Sequence, residues 1–211
     1  DLVRDKIIHV NIDADCLKGA INIHQDVSNF LDLLLSLDEL SSYSTDDSWI
    51  DEIYSHFNPI TIEGIDEAEE NYNPLKPQYV INKIFEAFKG SYFLADAGTH
   101  TTWSSLLSHN DSFGKFLFSG GFAPMGYSLC GSLGVAVAHG DEKVVVVCGD
   151  GDVQMVIQEL ATIREYDLNI SIFVLNNSQL GVIRQWEETI YDFDRYQVDL
   201  KNPDFVKIAE A

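Results

Sequence analysis

Two apolar runs, each closed by a short polar signal, constrain this chain more than anything else in it. Val144-Val145-Val146-Val147-Cys148 leads straight into Gly149-Asp150-Gly151, and Ile170-Ser171-Ile172-Phe173-Val174-Leu175 leads into Asn176-Asn177. Between them lies one helix-patterned segment, residues 152–166. Strand, helix, strand is a βαβ unit, with parallel strands and a crossover that is almost always right-handed. Asp150 and Asn177, 27 residues apart, therefore reach the same carboxyl edge of one sheet. Open α/β sheets bind their ligands at that edge.

The residue types there suit a hard cation carrying a phosphate group. Magnesium takes six oxygens, usually one or two from protein and the rest from phosphate and water. Asp150 offers a charged oxygen, and Asn177 a neutral one that adds no repulsion toward phosphate. Gly149 and Gly151 allow a sharp turn and a close approach to a bulky anion. The first N–H groups of the next helix stabilise negative charge. A GDG triplet alone is most often a turn, and an NN pair alone is unremarkable. The signal is their combination at this spacing, each at a strand end.

GDG followed at this distance by NN resembles the cofactor signature of thiamine-diphosphate (ThDP) enzymes. Neighbouring stretches narrow the likeness: GDGDVQMVIQEL (149–160), LGVIRQW (180–186), NPDFVKIAEA (202–211), LKPQYVI (75–81), DAGTHTTW (96–103) and SGGFAPMGYSL (119–129). Together they resemble the C-terminal part of acetohydroxyacid (acetolactate) synthase large subunits. The likeness spans nearly the whole chain and is weakest at about 38–72. It implies that Asp150 and Asn177 bind Mg2+ by side chain and Gln179 by its backbone carbonyl. Gly98, Thr99 and His100 would lie near the diphosphate, with Gly149, Gly151 and Asp152 at the glycine turn. The Ala123 carbonyl would receive the aminopyrimidine amino group, and Met125 would be the wedge that bends the cofactor. Val182 and Trp186 would line the substrate entrance.

Some positions depart from the family pattern. Thr99 replaces the usual Gln of a GQH triplet, Ala123-Pro124 replaces Gly-Thr, and Val182 stands where Met is usual. Asp152 replaces a small residue. A carboxylate aimed at a diphosphate oxygen from about 4 Å would cost about 4 kcal/mol at an effective dielectric of about 20, roughly a thousandfold in affinity. Asp152 is therefore expected to point away, as the helix N-cap.

A net charge of −21 argues against nucleic acid and anionic membrane surfaces as partners. No apolar run is long enough to span a bilayer, and no signal-peptide pattern opens the chain. Cys16, Cys130 and Cys148 form no CxxC pair, which suits buried thiols in a reducing cytoplasm. The opening Asp1 and the final helix pattern suggest a piece of a longer polypeptide.

The expected class is α/β: a doubly wound, mostly parallel sheet with helices on both faces, preceded by the tail of another α/β domain. Residues 1–40 read as a C-terminal piece of a central domain, with a buried strand at 6–13 and a helix at 26–37. Residues 41–75 read as an acidic connector with a short helix near 47–57. Residues 76–211 read as the diphosphate-binding domain, with Pro77 in its first helical turn. Met125 would open a helix to 138 whose glycines at 126, 131 and 134 imply a large neighbour packed close.

The resemblance implies decarboxylation of pyruvate and transfer of its two-carbon unit to a second 2-oxo acid. It also implies a homodimer or homotetramer, a regulatory small subunit, and FAD in the central domain of some members, though no Rossmann glycine fingerprint supports a flavin here. No nucleophile–base pair is visible, and no catalytic residue is assigned within these residues. In the family the activating glutamate comes from a partner subunit's N-terminal domain, so these residues alone should not catalyse. Alternatives remain another ThDP-dependent decarboxylase, oxidase or hydrolase, or a degenerate domain kept for assembly. A dehydrogenase is disfavoured by the missing GxGxxG.

Overall fold

The computed structural model describes residues 6–38, 48–56, 73–108 and 115–211. The chain divides into two compact units, Asp1–Pro59 and Ile60–Ala211. In the first, β1 (Ile8–Asn11) and β2 (Ile21–His24) pair in parallel. Helix α1 (Val27–Leu35) follows, and α2 (Ser48–His56) completes the described part. Asp26 caps α1 by accepting the N–H groups of Ser28 and Asn29 at 2.9 and 3.3 Å. The strand expected to be buried at 6–13 is shorter and has no buried residue. Among the described residues, a two-stranded sheet with two short helices lacks the layers to cover both faces. Much of the acidic connector lies outside the described residues.

The second unit holds the sheet that matters. Its strands are β3 (Tyr92–Ala95), β4 (Phe116–Phe118), β5 (Val144–Gly149) and β6 (Ile170–Leu175), all parallel, in the order β4-β3-β5-β6. Its helices are α3 (Pro77–Ala87), α4 (Thr99–Leu107), α5 (Tyr127–His139), α6 (Asp150–Met155), α7 (Glu159–Glu165), α8 (Gly181–Thr189) and α9 (Phe205–Glu210). Pro77 occupies the first turn of α3, where its missing N–H costs nothing.

Alternation along the strands splits the core into two layers. Phe93, Val145 and Val147 pack with Ile81, Ile84 and Phe85 of α3 and Leu107 of α4. On the opposite face Val146 and Cys148 pack with Leu129 of α5, Val153 of α6 and Ile163 of α7. Leu94 and Val144 meet Ala136 there. Both faces are covered, as parallel sheets require. Central β5 is buried along almost its whole length, whereas edge strand β6 is half-buried.

Four expectations are corrected. The 152–166 helix is two helices, broken after Met155, and Val156 at the break presses on Gly126. Helix α5 starts at Tyr127, because Gly126 is its left-handed cap (φ 92°). Gly126 and Gly131 are tightly packed, but a methyl group on Gly134 would meet nothing within 4 Å. Among the cysteines only Cys148 is buried, while Cys16 and Cys130 are free and exposed. No helix among the described residues is long and apolar enough to cross a membrane.

Candidate cofactor and metal site

Because all four strands run the same way, their carboxyl ends deliver four loops to one edge. The connection from β4 to β5 passes over β3, so chain direction across the sheet reverses between β3 and β5. Crevices form at such reversals. A cleft of about 260 Å³ opens beside this point, between the loops that follow β3 and β4, lined by Asp96, Gly98, Thr101, Ser119, Ala123 and Tyr127 among others.

Asp96, just past β3, holds this edge together. It is 2 % exposed. Its Oδ1 accepts the N–H groups of Ala97 and Gly126 at 2.8 and 2.9 Å. Its Oδ2 accepts the Ser128 N–H at 2.9 Å and hydroxyl at 2.6 Å. One carboxylate thus joins the β3 tip to the start of α5 and sets the wall of the cleft. The sequence reading passed over it. An aspartate ending an apolar strand two residues before a glycine was the available signal.

The glycine turn is crowded on every side. A methyl group on Gly98 would sit 2.6 Å from the His100 ring, and one on Gly149 would sit 2.9 Å from Asp152. One on Gly151 would lie 2.9 Å from the Met125 Cε. Met125 therefore rests directly on the GDG turn, linking the loops after β4 and β5. Ala123 stands at φ 44°, a left-handed conformation that costs a residue bearing a Cβ about 1–2 kcal/mol.

Asp152 is not the helix N-cap that the sequence suggested. It is the third residue of α6, and its Oδ2 turns back to accept the Gly149 N–H at 2.7 Å. Geometry explains the difference: Gly149 is the cap and has no side chain, so the carboxylate one turn later supplies the acceptor. The same Oδ2 lies 3.5 Å from His100 Nε2. Burial lowers the His100 pKa to about 4, against the opposing pull of Asp96 and Asp150. Burial and the Asp96 charge raise Asp152 to about 7, although the Gly149 hydrogen bond acts the other way. The contact is therefore no ion pair at neutral pH, since the imidazole is uncharged. His100 Nε2 and Asp152 Oδ1 are both buried without a hydrogen-bond partner.

Asp150, also 2 % exposed, has only Oδ2 engaged, by the Asn202 side-chain amide at 2.5 Å. That amide nitrogen also donates to Asn176 Oδ1 at 2.8 Å. The GDG turn and the NN loop are thus separated by a single nitrogen. Asn177 is exposed, and its Oδ1 accepts the Gln179 N–H at 3.0 Å. A methyl group on Gly181 would lie 3.2 Å from Asn177 Nδ2 and 3.9 Å from Thr99 Oγ1, so these three positions converge. Gln179 pairs with Asp199 in an antiparallel bridge made by Leu180 N–H to Val198 and Leu200 N–H to Ser178. That pairing does not use the Gln179 carbonyl. Val182 is half-buried and Trp186 is 45 % exposed, one turn apart on α8.

Do these residues suit a divalent cation with a diphosphate? Asp96, Asp150 and Asp152 are all buried, and none has a Lys or Arg partner among the described residues. Buried carboxylates without a cation are costly, and a divalent ion supplies the missing charge. One Asp150 oxygen has no hydrogen-bond partner among the described residues. The residues fit.

Comparison with known proteins agrees with the geometry. Residues 96–211 match the family model "Thiamine pyrophosphate enzyme, C-terminal TPP binding domain". The chain is 34 % identical to the acetolactate synthase large subunit of Haemophilus influenzae over 98 % of its own length and 37 % of that protein. It is 33 % identical to the isozyme 3 large subunit of Escherichia coli, over 97 % of this chain and 37 % of that one. With the large subunit of Buchnera aphidicola from Acyrthosiphon pisum, identity is 40 % over 66 % of this chain and 25 % of the other. The chain thus spans little more than a third of the curated relatives it matches along its length. With a buried aspartate and an asparagine loop at one edge of a parallel sheet, and more than half of its residues matching the model, the chain belongs to the thiamine pyrophosphate enzymes and carries their C-terminal TPP-binding domain.

Proposed function

We propose that this chain is the ThDP- and Mg2+-holding part of an acetolactate-synthase-like enzyme. That enzyme would decarboxylate pyruvate and join the two-carbon unit to a second 2-oxo acid, as in branched-chain amino acid biosynthesis. The observation that carries the reading is Asp150: a buried carboxylate with one unused oxygen, one amide away from the asparagine loop. In this reading Asp150, Asn177 and the Gln179 carbonyl hold Mg2+, with phosphate oxygens and water completing its coordination. Gly98, Thr99, His100, Gly149 and Gly151 cradle the diphosphate, and Asp152 keeps its charge directed into its own turn. The Ala123 carbonyl receives the aminopyrimidine, Met125 supports the ring system, and Val182 with Trp186 shapes the entrance for 2-oxo acids.

The cofactor, when bound, supplies the carbon nucleophile that this chain's side chains lack. The protein's own work is to orient it, exclude water and place charge. His100, neutral and buried, offers its ring nitrogen only as a hydrogen-bonding group, not as a cation. Residues 1–40 are read as the tail of a central domain, which in some relatives of this class would carry FAD, and 41–75 as a connector. A cytoplasmic homo-oligomer with a regulatory small subunit completes the proposal.

The test is pyruvate turnover by the protein in its native assembly, with and without a second 2-oxo acid, ThDP and Mg2+. Acetolactate-type products that require both ThDP and Mg2+ support the reading. Aldehyde or acetate as the sole product would move it to a decarboxylase or oxidase. Absence of saturable, metal-dependent ThDP binding would refute it and leave a non-catalytic domain.

A further inference from the structure

We propose that Asn202, oriented by Gln154, is the positioning residue for the metal-binding carboxylate of Asp150; this rests on the metal site proposed above. A chain of hydrogen bonds settles which way each amide faces. Gln154 meets the backbone carbonyl of Asp150 at 2.9 Å. A carbonyl can only accept, so the Gln154 atom there is its NH2 nitrogen. That nitrogen lies 2.9 Å from the Asn202 amide, whose facing atom must then be the oxygen. The opposite end of Asn202 is its NH2 group, which donates to Asp150 Oδ2 and Asn176 Oδ1. A rigid backbone carbonyl thereby dictates, through two amides, that a donor faces the aspartate.

The consequence is chemical. An amide donor on Oδ2 locks the carboxylate plane and leaves Oδ1 for a cation. The same nitrogen reaches the asparagine loop, so both sides of the metal site answer to one side chain. Groups that hydrogen-bond a ligating carboxylate change metal affinity by about 10–100-fold when removed.

Asn202 is not needed merely to fasten its segment. Residues 197–202 are already held by two backbone hydrogen bonds of 2.8 Å, between Leu180 and Val198 and between Leu200 and Ser178. Val198 is buried at 2 % exposure. What Asn202 adds is a donor at the aspartate, 52 residues away in sequence.

Mn2+ titration followed by electron paramagnetic resonance, on the native assembly with saturating ThDP, separates the roles. Wild type is expected to bind Mn2+ tightly. Asn202→Ala is expected to bind it roughly 10–100-fold more weakly, measured at a temperature where the metal-free variant is still folded. Gln154→Leu, which frees the amide to flip, is expected to weaken Mn2+ binding in the same direction. Asn202→Ala with wild-type Mn2+ affinity overturns the proposal. So does a loss that merely tracks the fraction unfolded in the metal-free protein. If Asn202→Ala does not fold, unchanged affinity in Gln154→Leu overturns it and weakened affinity supports it. A wild-type protein that takes up no Mn2+ refutes the metal site itself, and this proposal falls with it.

Discussion

Replacing Asp152 with Asn in the metal-free protein should make stability less dependent on pH in one window and more dependent in another. Asp152 is 2 % exposed, its Oδ1 has no partner, and its folded pKa is about 7 against an ordinary 3.8. A carboxyl group raised on folding binds its proton more tightly in the folded state. Stability is therefore full below 3.8 and falls as pH rises toward 7, where the loss is complete. The gap of about three pH units corresponds to about 4 kcal/mol. Relaxation and water entry reduce such figures, so about 2 kcal/mol is the expected gain of Asp152→Asn over wild type at pH 8, with none at pH 4.

His100 works in the opposite sense. Its folded pKa, near 4 against 6.5, means that the unfolded chain takes up the proton first. Stability from His100 is present above 6.5 and is lost as pH falls toward 4. In wild type the two slopes oppose each other between 4 and 6.5. Asp152→Asn removes one of them and leaves the histidine slope exposed. The new amide keeps its oxygen as the acceptor for Gly149, with its NH2 in the place of the unpartnered Oδ1. Urea denaturation in EDTA at pH 4, 6 and 8 measures this. A variant curve that runs parallel to wild type, or lies below it at pH 8, would falsify the reasoning.

Three further outcomes are expected. Gly126→Ala should lower stability by about 2 kcal/mol or more, because φ is 92° and the new methyl lies 2.7 Å from Val156, combining backbone strain with overpacking. Gly134→Ala, a few turns along the same helix with open space around it, should instead raise stability by about 1 kcal/mol; thermal unfolding of both variants checks the pair, and equal effects would contradict the packing. Asp96→Ala should destabilise by about 3 kcal/mol or more, since it strips the acceptor from three backbone N–H groups and the Ser128 hydroxyl. Hydrogen exchange should show the Gly126 and Ser128 amides losing protection ahead of β5.

The βαβ unit and the parallel sheet were legible in the chain because period and punctuation are local properties. Apolar runs of strand length, stopped by GDG and NN, leave few other ways to satisfy backbone and core. Asp150 and Asn177 could be placed at one edge for the same reason, as parallel strands share an end. Pro77 announced its helix equally locally. The break after Met155 was not legible, since it is settled by Val156 meeting Gly126, and nothing in either neighbourhood reveals the other.

Asp96, Gln154 and Asn202 belong to that second class. Each is an ordinary polar residue in its own stretch and acquires a role only when the fold brings a distant partner within about 3 Å. Asp152 shows both sides at once. Local chemistry said that its charge must turn away from the phosphate position. The third position of a helix capped by glycine, under a buried histidine, set where it turned. Strand order and the shared edge follow from a repeating local pattern, whereas the direction of each buried proton and amide follows from contacts between residues far apart in the chain.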